Sequence, residues 1–118
     1  MFARIGVLWT ETILHEFSNT NGDGFEPQSG VIFDSFGNLW GTTSRGGAYS
    51  STNFGGTVYE LSPNSGGGWT ETIAHSFGNG TDGGEPYGGL VSDAAGNFYG
   101  TTVIGGTAGE GTVYEITP

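Results

Sequence analysis

An all-β fold is predicted on three grounds. One unit is written twice, each copy alternates apolar and polar residues with period two, and no stretch repeats its apolar residues at helical spacing. Trp9-Thr10-Glu11-Thr12-Ile13 returns as Trp69-Thr70-Glu71-Thr72-Ile73. Gly41-Thr42-Thr43 returns as Gly100-Thr101-Thr102, and Gly56-Thr57-Val58-Tyr59-Glu60 as Gly111-Thr112-Val113-Tyr114-Glu115. A repeat of this length means stacked copies of one supersecondary unit.

Four strands are expected in each copy. In the first, Trp9, Glu11, Ile13, His15 and Phe17 alternate onto one face, as Trp69, Glu71, Ile73, His75 and Phe77 do in copy two. A loop follows, from Ser18 to Ser29 and from Gly78 to Gly88. Next comes a hairpin. Gly30–Asp34 rises, Ser35-Phe36-Gly37 turns and Asn38–Thr43 descends, with Gly89–Asp93, Ala94-Ala95-Gly96 and Asn97–Thr102 as counterparts. A three-residue connection ending in glycine suits a type I turn closed by a left-handed residue. Asp34 and Asp93 flank these turns and are expected to cap them. A Gly-rich loop then leads into Thr57–Leu61 or Thr112–Ile116. Pro63 and Pro118 end those strands, because proline has no N–H for a ladder. The copies differ in length only in their loops, since register fixes which face of a strand is buried. The chain is therefore one module, 1–118, with repeat 1 over 9–68 and repeat 2 over 69–118.

Composition narrows the function classes. The 118 residues fit one small domain. Glycine is abundant at 25 residues, but aromatic residues reach 14% and recur at fixed repeat positions, which argues for folding rather than disorder. Twelve acidic residues stand against Arg4 and Arg45, for a net charge of -10. Nucleic-acid binding needs cationic side chains to displace phosphate counterions, so neither it nor an anionic membrane surface fits. There is no cysteine, hence no disulfide and no thiolate metal site. The opening Met1–Trp9 stretch lacks the apolar run and cleavage site of a signal peptide, and no segment is long enough to cross a bilayer as a helix.

The run Gly89-Leu90-Val91-Ser92-Asp93-Ala94-Ala95-Gly96-Asn97-Phe98-Tyr99-Gly100-Thr101-Thr102 resembles NHL- and kelch-type β-propeller blades. More closely, Asn38-Leu39-Trp40-Gly41-Thr42-Thr43 with Gly56–Pro63, and Asn97–Thr102 with Gly111–Pro118, resemble the GloVer tandem repeat of bacterial surface or secreted proteins. The resemblance spans nearly the whole chain. It implies propeller blades and an extracellular or cell-surface location; it implies no reaction. Members of that family usually carry many copies, whereas this chain has two.

Blade counting then leads to a homo-oligomer. Propellers close with about four to eight four-stranded blades. Two blades leave apolar faces open, and only the central blade, Gly30 to Phe77, is covalently complete. The expectation is that Trp9–Phe17 of one chain completes the last blade of its neighbour, with a trimer of six blades first and a tetramer of eight second.

Candidate sites are few. Asn19, Asn21 and Asp23 place oxygen ligands at alternate positions before Gly24, like the opening of a calcium loop. Copy two is shorter there, no bidentate glutamate follows at the expected distance, and an Asn/Gly/Asp turn accounts for the same residues. His15 and His75 are either metal ligands or packing residues bonded to same-face Glu11 and Glu71. Glu26 and Glu85, each before a proline, are the carboxylates a glycoside-cleaving or lactone-cleaving channel enzyme would use, though nothing in the sequence fixes their separation. Trp40 and Tyr99 are either core or sugar-stacking platforms, and Arg45, Tyr49 and Phe54 lie in the long loop beside them. The weight of these observations favours a non-enzymatic binding or structural module, with a glycan as the candidate ligand, over a hydrolase, because the prominent polar residues repeat between copies as framework residues do.

Overall fold

The computed structural model describes residues 8–50 and 55–118. Its strands are β1 (Gly24–Phe25), β2 (Ile32–Phe33), β3 (Leu39–Thr43), β4 (Arg45–Gly46), β5 (Thr57–Pro63), β6 (Trp69–Ser76), β7 (Val91–Ser92), β8 (Phe98–Thr102) and β9 (Thr112–Ile116), with no helix among the described residues. A four-stranded sheet runs β2-β3-β5-β6 and a three-stranded sheet β7-β8-β9; β1 and β4 form a two-stranded pair. Every strand pair is antiparallel. The all-β expectation is therefore met, and the sheets fall out of phase with the sequence repeat: β6 opens repeat 2 but closes the first sheet.

The repeated motifs have local explanations. Asp34 Oδ1 accepts the amides of Phe36 and Asn38 at 2.8 and 2.9 Å, and Asp93 Oδ1 those of Ala95 and Asn97 at 2.9 and 3.0 Å. These aspartates close the β2-β3 and β7-β8 hairpins as expected, over Gly37 and Gly96 at φ of 85° and 89°. Behind them, Thr43 Oγ1 lies 2.7 Å from Thr57 Oγ1, and Thr102 Oγ1 the same distance from Thr112 Oγ1. The Gly-Thr-Thr and Gly-Thr-Val-Tyr-Glu strings are thus the two sides of one cross-strand contact.

The main core lies between the two sheets. Trp40, Val58, Phe77, Leu90 and Phe98 form it, joined by Ile32, Tyr114 and Ile116. Trp40 stacks on Phe98 with ring centroids 4.5 Å apart, and Phe77 meets Tyr114 edge-on at 4.9 Å. A second cluster covers the opposite face of the first sheet: Leu39, Tyr59 and Leu61, packed by Leu14, Phe17, Trp69 and Ile73. Leu39, Tyr59 and Leu61 are the copy-one counterparts of Phe98, Tyr114 and Ile116, so both clusters use the same face of the repeat.

Two details depart from the sequence reading. Strict alternation predicts one face for Trp69 through Phe77. A bulge intervenes instead: Tyr59 pairs with Ile73 but Val58 with His75, leaving Ala74 as the extra residue. Trp69 and Ile73 consequently join the second cluster while Phe77 enters the main core. The predicted strand Trp9–Phe17 belongs to no sheet. Its far end still packs, through Leu14 and Phe17, but Leu8, Trp9 and Ile13 are 89%, 85% and 65% exposed. The physical reason is topological: the edge equivalent to the one that pairs with β6 belongs to β9, at the other end of the chain.

Tyr59 lies across Gly41, where a Cβ would sit 2.5 Å from its phenolic oxygen, so that position tolerates only hydrogen. Gly41→Ala is expected to cost about 1–3 kcal/mol in urea unfolding through overpacking. Gly66→Ala, with no atom within 4 Å of the new methyl, should stay within about 0.5 kcal/mol of wild type.

Candidate functional site

Among the described residues, a His, an Asp and a Glu come together where the N-terminal segment, the first loop and β6 meet. His15 Nε2 lies 3.1 Å from Asp23 Oδ2 and 3.2 Å from Glu71 Oε2. Each side chain is placed by ordinary local structure. Phe17 sits edge-on to the His15 ring at 4.8 Å and anchors that segment against Tyr59. Asp23 folds back into its own turn, its Oδ2 taking the Ser18 amide at 3.1 Å and its Oδ1 the Gly24 amide at 2.8 Å. Glu71 is fixed by its place on β6, opposite Leu61.

The electrostatics follow from two carboxylates meeting away from water. Burial, then the hydrogen bond and charge of Asp23, push Glu71 up to about 8. Burial also acts to raise Asp23, but hydrogen bonds from Glu71, Ser18, His15 and Gly24 outweigh it and hold that carboxyl below its ordinary range. Of the two carboxyls, Glu71 is therefore the one that holds its proton more tightly. Burial, then the nearby Glu71 charge, raise the Tyr59 phenol as well. Glu71 Oε2 is screened from solvent and has no hydrogen-bond partner among the described residues. The His15 Nε2 carries at most one hydrogen, which cannot serve two carboxylates at once.

Copy two repeats only part of this. His75 Nε2 lies 2.8 Å from Asp82 Oδ2, and Asp82 Oδ1 takes the Gly78 amide at 2.9 Å. The His–Asp pair is therefore framework, and the third member, Glu71, distinguishes the first site. The sequence reading paired each histidine with the glutamate on its own strand; the fold instead gives each an aspartate from the following loop. The recurrence of His15…Asp23 as His75…Asp82 is the signal that finds that pair. Glu71 has no such signal, because it reaches His15 from the next repeat.

The other candidate residues are dispersed. Trp40 is 5% exposed, stacked on Phe98, with its indole N–H donating to Asp34 Oδ2 at 2.9 Å. Tyr99, its counterpart, has its hydroxyl 2.7 Å from Asp93 Oδ2 and 3.0 Å from Glu115 Oε2, acceptors for its one hydrogen, and these contacts push the phenol up to about 12. Tyr49 lines an open cleft of about 470 Å³ with Asn21, Gly22, His75 and Asp82. Phe54 lies outside the described residues. Of the calcium-loop set, Asn19 and Asn21 both sit at φ 55°, and Asp23 is the member drawn into the cluster above.

Arg45 joins two carboxylates that the sequence could not relate. Its Nε lies 3.2 Å from Glu26 Oε2 and its Nη2 3.4 Å from Glu85 Oε1. Glu26 and Glu85 occupy equivalent positions and share left-handed backbones, φ 58° and 52°, an uncommon conformation for a side-chain-bearing residue. The conformation lets their carbonyls accept the amides of Ser44 and Val103. In copy two the place of Arg45 is taken by Ile104, so the guanidinium is a link between repeats rather than part of each.

The cluster makes a pH prediction. The folded chain keeps the Glu71 proton up to about 8, while an unfolded carboxyl loses it near 4.5. The resulting stability is fully present below the lower value, declines as pH rises between them and is gone above the higher. Asp23, His15 and Tyr59 are the ionisable groups facing it. Glu71→Gln keeps a donor that does not titrate. With chelator present, its melting temperature should gain on wild type between about pH 5 and about pH 9. The gain should be on the order of 5 °C; parallel melting curves would contradict it.

No curated protein and no solved structure matches the chain. The match that exists covers residues 6–118, both copies together, and on it the chain belongs to the Gloeobacter/Verrucomicrobia repeat family.

Proposed function

We propose that the chain is a self-assembling, propeller-type repeat module whose two sheets are successive blades and whose open ends are completed by further copies of itself. One observation carries this reading. Val58 and Val113 hold the same repeat position, yet Val58 is 0% exposed beneath the second sheet and Val113 is 80% exposed on the outer face of that sheet. Val91 shares that outer face in the strand register and is 66% exposed. A β-branched face that is core in one copy and bare in the next is an unpartnered interface.

The occupant is argued from the chain's own ends. β9 is an edge strand equivalent to β5, and residues 9–17 repeat the sequence of its partner β6. The two halves of a strand pair thus exist at opposite ends of one molecule, which suits head-to-tail addition. Transferring the β5-β6 register sets Trp9 opposite Pro118, Glu11 opposite Ile116, Ile13 opposite Tyr114 and His15 opposite Val113. It also carries Glu11 of the neighbour to His75 and Asp82, as Glu71 reaches His15 and Asp23. Three copies then supply six blades, within the number that closes a propeller.

Sedimentation or native mass measurement should give a trimer. Val113→Asp should give a folded monomer that keeps a β-sheet far-ultraviolet spectrum, since that side chain is exposed within a single chain. A wild-type chain that stays monomeric at high concentration would refute the proposal.

A further inference from the structure

We propose that His15, Asp23 and Glu71 form a binding site for a divalent transition-metal ion of the zinc class. One nitrogen and two carboxylate oxygens, all within 4.8 Å of one another, converge there. The spacing suits a metal. Ligands about 2.1 Å from a tetrahedral ion stand about 3.4 Å from each other. The His15–Asp23 and His15–Glu71 separations are 3.1 and 3.2 Å, so small side-chain shifts would admit the ion.

The protein's own hydrogen bonding leaves the cluster unfinished. Asp23 Oδ2 faces the imidazole nitrogen, and Glu71 Oε2 is shielded from water with no hydrogen-bond partner among the described residues. A cation that displaces the Glu71 proton satisfies that oxygen and holds both carboxylates together. The ligands are also held from behind, Asp23 by the amides of Ser18 and Gly24 and His15 by the Phe17 ring. Such outer contacts orient metal ligands before the ion arrives. The imidazole nitrogen and the small number of ligands favour zinc-like ions over calcium, which takes six to eight oxygens. This set shares Asp23 with the calcium loop expected from sequence but neither asparagine, and it is independent of whether copies assemble.

Calorimetric titration of the chelator-stripped, full-length chain with zinc near neutral pH tests the site, with calcium and magnesium as comparators. Wild type should bind zinc with a thermal upshift and show no comparable response to the other two ions. Glu71→Gln, which keeps the shape and a hydrogen-bond donor, should weaken zinc binding at least about tenfold, since a ligand loss should cost no less than an outer-shell one. His75→Ala, which removes the copy-two pair and with it any set that a neighbour's Glu11 would complete, should leave zinc binding at His15, Asp23 and Glu71 in place. Absence of any zinc-dependent heat or thermal shift overturns the proposal. So does a Glu71→Gln protein, verified as folded, that binds zinc as wild type does.

Discussion

The fold depends on one packing relation: the front of each sheet closes over the back of the sheet before it. Trp40 and Val58 present the back, and Phe98, Tyr114 and Leu90 the front. Hydrophobic burial there is what a single small sheet cannot supply alone. Thr42 adds a polar tie across the same boundary, its hydroxyl donating to the Gly88 carbonyl at 3.1 Å. Everything else is arranged to permit this contact. Glycines at 41 and 100 leave room for the tyrosines of β5 and β9, and the paired threonines fix the depth at which those strands cross.

That relation is directional, which is why the chain's ends differ. The front of the first sheet is covered by its own leading segment, with Leu14 and Phe17 standing where Phe77 stands in the next boundary. The back of the second sheet has no such cover, as Val113 records. In the proposed assembly, a directional contact that is satisfied at one end and open at the other is completed by the next copy. On this view the recurring residues are framework, and specific chemistry resides where the copies differ. The cluster at His15 and the Arg45 link both meet that description: each draws two members from repeat 1 and one from repeat 2.

The sequence made the strand sequence, the hairpin turns and the missing fourth strand of the second sheet legible, because period-two alternation and glycine placement are local signals. The bulge at Ala74 was not legible. A single extra residue leaves the alternation of Trp69, Glu71, Ile73, His75 and Phe77 intact in the text while reversing its meaning in space. The family match was foreshadowed by the Gly-Thr-Thr and Gly-Thr-Val-Tyr-Glu strings. The polar cluster was half legible. His15 and Asp23 sit close in sequence and recur as a pair, whereas Glu71 arrives from the next repeat by a sheet contact. The left-handed Glu26 and Glu85 could not be anticipated either, since their conformation answers to the amides of Ser44 and Val103 rather than to their neighbours in the chain.

Charge decides what kind of contact can join copies. Each chain carries a net charge of -10, so approaching copies repel one another over about a Debye length. Arg45, the only cation among the described residues, is already engaged by Glu26 and Glu85 and offers little to a partner. Among the described residues, salt bridges therefore add little to the proposed contact between copies. What remains is apolar area and backbone hydrogen bonding, and the chain exposes both in matched form: the Trp9–Ile13 ribbon and the β9 edge with Val113 beside it. The same repulsion disfavours side-by-side clustering of acidic surfaces, whereas the proposed strand-to-edge contact carries a compensating gain in apolar burial and backbone hydrogen bonds.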